Sequence, residues 1–134
     1  MAAQVITQPK IEISPDLLDQ LLTQTEEVGQ VILHFLYLNI SPHPTKVRIW
    51  PTSYLLDQGS DHRSEIVHAE NISWFPQWKD IAPFTQDYFS LIFTGLPKSC
   101  DRFDFEEHCT NEAGAFIVRD IIRNEQDVYY FQMM

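Results

Sequence analysis

The run Gln30–Ile40 places a strong constraint on what the chain can fold into. At period two, Val31, Leu33, Phe35 and Tyr37 fall on one face, and Ile32, Leu36, Leu38 and Ile40 fall on the other with His34. An antiparallel sandwich strand normally keeps one face wet and polar. Here both faces are apolar, so something must cover the second face. The preceding segment offers one cover. Ser14-Pro15-Asp16 opens a helix as N-cap, first-turn proline and first-turn acid. Leu17, Leu18, Leu21, Leu22, Thr25 and Val28 continue at helical spacing, and Gly29 is a stop. The spacing predicts a short helix over 15–27, although Glu26 and Glu27 oppose the negative end of its dipole. A frayed, partly extended lead-in to the strand is the competing reading of this segment, and a partner subunit is the other candidate cover.

The second constraint is Val47–Asp57, strand formers interrupted by Pro51. Proline cannot donate to a ladder, so Pro51 must sit on an edge strand or at a bulge, and if it marks a bulge the alternation changes phase there. Val47 and Ile49 would face the core before it, Tyr54 and Leu56 after it. The turn-rich run 57–61 followed by Ser64–Ile72 then reads as a hairpin over 46–72. Further on, Phe89, Leu91 and Phe93 alternate inward, as do Phe103 and Phe105 between Arg102, Asp104 and Glu106. Phe116–Ile122 and Val128–Met133 are predicted to form a terminal hairpin. About seven to nine short strands with no βαβ rhythm predict a single domain over residues 1–134. The fold class is mainly all-β, an antiparallel sandwich with a short N-terminal helix; a flattened β-barrel is the alternative.

Charge narrows the function classes. Nine basic against 19 acidic residues give a formal net charge of −10, and the cations are scattered, which opposes nucleic acid and anionic membranes. No apolar stretch nears the ~20 residues of a membrane-spanning helix. The first residues lack the basic start and apolar run of a secretion signal, so the expected location is cytoplasmic. Cys100 and Cys109 suit reduced thiols there, and sequence leaves their bridging open. Aromatic residues reach 13% while glycines number 4, so rings rather than glycine turns shape the core.

The runs Phe93-Thr94-Gly95-Leu96-Pro97-Lys98 and Phe103-Asp104-Phe105-Glu106 resemble uncharacterised bacterial domains of immunoglobulin-like sandwich type. The stretches 48–55 and 68–72 share the likeness, which covers roughly residues 30–123. The resemblance implies the sandwich fold and brings no catalytic residues with it.

Two surface constellations merit weighing. His68 and Glu70 share a strand face and could clamp a polar ligand or form half a metal site; a satisfied structural pair is the plainer reading. Trp74, Phe75 and Trp78, with Trp50 and Tyr54, could form a platform for sugar rings or for a partner's side chains. Alternatively those rings close one end of the core. Glu106-Glu107-His108-Cys109 splits between two faces and reads as a wet strand end. No Walker loop, dinucleotide fingerprint, nucleophile elbow or zinc-ligand spacing is present, so no metal or cofactor is expected and nothing argues for an enzyme. The sequence therefore points to a non-catalytic interaction domain, binding a protein or itself. The alternatives are a carbohydrate-binding module using surface Trp residues, and a metal-assisted hydrolase around His68 and Glu70.

Overall fold

In the computed structural model, which describes residues 4–5, 29–109 and 115–134, the doubly apolar run forms strand β2 (Val31–Leu38), buried from Val31 to Tyr37. The described residues form nine other strands: β1 (Gln4–Val5), β3 (Thr45–Val47), β4 (Ser53–Asp57), β5 (Arg63–Glu70), β6 (Lys79–Ile81), β7 (Gln86–Phe93), β8 (Arg102–Glu107), β9 (Ile117–Ile122) and β10 (Val128–Met133). No helix occurs among the described residues, and the helix expected over 15–27 lies outside them. The described residues therefore contain no helix able to cross a membrane.

One mixed sheet runs in the order β1-β10-β2-β7-β5-β4-β8-β9, and β3 pairs with β6 in a separate ribbon. The large sheet curls on itself. Phe35 of β2 stacks on Phe89 of β7 at 4.9 Å and meets the Phe131 ring of β10 at a tilt, with centroids 5.1 Å apart. It also meets Phe105 of β8 at 5.7 Å, although three strands separate β2 from β8 in the sheet. The terminal strands β1 and β9 come into contact. Curling encloses Leu33, Phe35, Phe93, Phe103, Phe105 and Phe131 with no solvent exposure, and each such side chain contributes about 1.5–3 kcal/mol by leaving water.

The corner of the curl is β5. Its first residues pair with β4 (Leu56↔Arg63, Tyr54↔Glu65). Its later ones pair with β7 (Ile66↔Phe93, Glu70↔Ser90), with a register shift between Ile66 and His68. A bulge bends a strand and increases its twist, so one strand serves both halves of the sheet.

Several expectations need correction. The sheet is not purely antiparallel, because β10 lies parallel to β2. For the same reason there is no terminal hairpin: β9 pairs with β8 instead. Tyr129, Phe131 and Met133 point into the main core while Val128 packs on Ile32 and Ile92 behind it. A strand apolar on one face, with Val128 and Tyr130 on the other, belongs beside β2, not beside β9 with its exposed Arg119 and Asp120. Arg123 holds the crossover by donating to both carboxylate oxygens of Asp127 at 2.8 Å and to the carbonyls of Pro97 and Cys100. The third correction concerns Pro51, which ends one extended segment rather than bulging it. The inward phase continues through Val47, Ile49, Ser53, Leu55 and Asp57, leaving Tyr54 and Leu56 half-buried. Ser53 can occupy a core position because its hydroxyl donates to the Trp50 carbonyl at 2.7 Å. Only the β4–β5 part of the expected hairpin forms.

Behind β2, His34 shares a 2.6 Å hydrogen bond with Ser90 through Nδ1 and lies 5.1 Å from the Tyr130 ring. Its Nε2 is buried without a hydrogen-bond partner. Burial holds this imidazole down at a pKa of about 4.

Candidate functional site

Ile49 builds the site. Its N–H donates to the Ser73 carbonyl and its own carbonyl accepts from Phe75 N–H, both at 2.9 Å, in a parallel bridge to Trp74. Ile49 is fully buried, so the alternation turns its neighbours Arg48 and Trp50 outward. They meet the loop carrying Phe75 and Trp78. Trp50 stacks on Phe75 with centroids 3.8 Å apart and planes at 25°. The Arg48 guanidinium sits 3.8 Å from the Trp78 ring centre and 4.7 Å from that of Phe75, while Nη1 donates to the Pro76 carbonyl at 3.2 Å. The Phe75–Pro76 peptide is cis. The product is a ridge of three rings and one cation, with Trp78 46% and Phe75 39% exposed.

Two ties fix the ridge to the body. Glu107 is buried, accepting Trp50 N–H at 2.9 Å on one oxygen and Phe116 N–H at 3.1 Å on the other. Lys79 donates to the carbonyl and side-chain oxygens of Asn71 and pairs with Asp87 at 2.6 Å, closing the base of the loop.

Beside the ridge lies an open depression of about 600 Å³ bordered by Trp50, Thr52, Tyr54, Arg63 and His108. Arg63 lies 4.0 Å over the Tyr54 ring, and Tyr54 and His108 rings are 5.2 Å apart. Two cation–ring pairs thus flank Trp50.

Of the residues singled out from sequence, Trp50, Phe75 and Trp78 come together on the ridge, and Tyr54 borders the adjoining depression. Trp74 packs against the main core. His68 and Glu70 sit elsewhere, on the stretch of β5 paired with β7. Their side chains meet at 2.5 Å and both are exposed. No group of three or more His, Cys, Asp or Glu suited to a metal exists among the described residues. No disulfide joins Cys100 and Cys109. Burial, with the hydrogen bond and charge of Asp57, pushes the Cys100 thiol up to about 11, far from a reactive thiolate.

Sequence reasoning missed Arg48 and Glu107. Arg48 had a signal, two residues along the same strand face from Trp50. Glu107 continues the inward phase of Phe103 and Phe105, but reading it with its charged neighbours placed it in water; the structure overturns that for Glu107. Comparison with protein-family models, with curated proteins and with solved structures finds no match for this chain.

Proposed function

We propose that this chain is a non-catalytic interaction domain of immunoglobulin-like sandwich type, binding a protein partner through the Arg48–Trp50–Phe75–Trp78 ridge and the depression beside it. The observation that carries the reading is the stack itself. Large rings and an arginine are the side chains that dominate interface energetics, and here they are ordered before any partner arrives, which lowers the entropic cost of association. The ring faces also favour a protein over a sugar. Trp50 and Phe75 cover one another, and Arg48 occupies one face of Trp78; a sugar platform requires flat faces left open. Trp78's remaining face supports the carbohydrate-binding alternative. The metal-assisted hydrolase alternative has only the two exposed groups of His68 and Glu70 behind it.

The test places a photo-crosslinking phenylalanine analogue at Trp78 in cells that make the protein, with the same analogue at Glu125 as control. A discrete adduct at position 78, absent at 125 and lost with Arg48→Ala, supports the reading. Equal labelling at both positions, or none, overturns it. A tryptophan fluorescence change with an oligosaccharide panel that Trp78→Ala abolishes would move the assignment to carbohydrate.

A further inference from the structure

A second surface, remote in sequence from the ridge, joins the turn after β2 to the turn before β7. Asn39 is its buried hub. Its amide donates to the carbonyls of His43 (2.9 Å), Ala82 (3.1 Å) and Ile81 (3.3 Å), and its side-chain oxygen accepts Ser41 N–H at 3.0 Å. Backbone bonds from Asn39 to Thr85 and from Phe84 to Ser41 complete the knot. From this rigid base Ile40 and Phe84 project into water, 68% and 72% exposed. Phe84 does so at φ 55°, a left-handed conformation that a bulky residue rarely adopts. A cleft of about 310 Å³ opens between them, bordered also by Leu38, Thr85 and Gln86.

Charge singles out this tip. Residues 38–45 and 81–86 contain no Asp, Glu, Lys or Arg, although 21% of the chain is charged and its net charge is −10. A partner chosen by electrostatic attraction has nothing to grip here. Two copies meeting end to end through the tips, by contrast, keep their acidic bodies apart and place no like charges in the contact. The shape is self-complementary as well. Phe84 both projects from the patch and borders this open depression, so two copies related by a two-fold axis would each offer the other the same pair. A bilayer surface would need the knobs but not the cleft.

We propose that the Ile40–Phe84 tip is a self-association surface, on which Phe84 of each copy enters the cleft of the other. This rests on the reading of the chain as an interaction domain, but on different residues from the ridge. Two short loops bury less than the roughly 1,600 Å² of a standard stable interface, so the dimer is weak and concentration-dependent. Its affinity rises with salt, because screening removes the repulsion between the acidic bodies.

Sedimentation equilibrium over a concentration series at low and high sodium chloride tests this. Weight-average mass should climb from 15.7 kDa toward twice that value, with a lower midpoint in high salt. Phe84→Asn suits the test because asparagine tolerates left-handed φ; it should fold at least as stably as the native chain and raise the midpoint about tenfold or more, reflecting lost ring burial. Ile40→Ser should act in the same direction. A native chain monomeric at every concentration overturns the proposal, and so does association that both variants leave unchanged. Binding of monomer to phosphatidylcholine vesicles, lost in Phe84→Asn, also overturns it and assigns the tip to lipid. None of these outcomes touches crosslinking at position 78, so the two readings fail separately.

Discussion

The ridge and the tip both put large apolar side chains into water, in opposite ways. On the ridge the rings stack on each other and on a cation, so much of their area is already covered. At the tip Phe84 and Ile40 stand largely uncovered, one of them on an unfavourable backbone. Each hangs on one buried polar residue, Glu107 or Asn39. The difference teaches that exposure alone does not describe a surface. A self-packed cluster is ordered and gains from a partner at its edges, whereas an uncovered one gains across its whole area.

The largest expected effect separates both regions from the sheet that carries them. His34 takes a proton near pH 6.5 in the unfolded chain but only near 4 in the folded one. Its contribution is therefore unpenalised above pH 6.5 and worsens as pH falls toward 4, by up to about 3 kcal/mol. Urea midpoints measured against pH should show this fall in the native chain and lose it in His34→Gln; identical profiles would refute it. Ridge and tip should melt together in that titration.

Removing the polar residues should instead separate them. Glu107→Ala and Asn39→Ala should each cost about 2–3 kcal/mol in chemical denaturation, since each strands backbone groups that were paired. Hydrogen exchange should quicken around residues 73–78 in the first variant and around 40–44 and 81–85 in the second. If both variants loosen both regions alike, the comparison is broken. Arg48→Ala should cost only about 1 kcal/mol, yet red-shift tryptophan emission as Trp78 gains water; an unchanged spectrum would mean that the stack does not persist in solution. Smallest of all, Phe84→Asn should raise stability by about 0.5–1 kcal/mol by easing the left-handed residue, and a fall in melting temperature would contradict it.

Period-two burial made most strands legible. Phe89, Leu91 and Phe93 of β7 and Phe103 and Phe105 of β8 face the core as their alternation requires, and β2 is covered on both sides. Partnership between strands was less visible. Nothing local tells β10 to pass over β9 and lie along β2, because pairing depends on which half-sheet needs an apolar neighbour. At Pro51 the expected change of phase failed because a serine whose hydroxyl is satisfied by the backbone can take an inward position. The candidate site was half legible. Aromatic residues announced the ridge, while Arg48 and Glu107 owe their roles to neighbours far along the chain. The tip was misread: alternation put Ile40 on the covered second face of the long strand, but the strand ends at Leu38 and Ile40 stands exposed beyond it, while a lone Phe84 in a proline-containing turn looks the same whether it folds in or out.

The position of β10, between β1 and β2, also bears on how the molecule is made. During synthesis the flank of β2 that will receive residues 128–133 has no intended neighbour until those residues emerge, so its amides and carbonyls stand open to any other nascent chain. Chains truncated after β9 should be protease-sensitive and prone to co-aggregate, and restoring residues 123–134 should relieve both defects together.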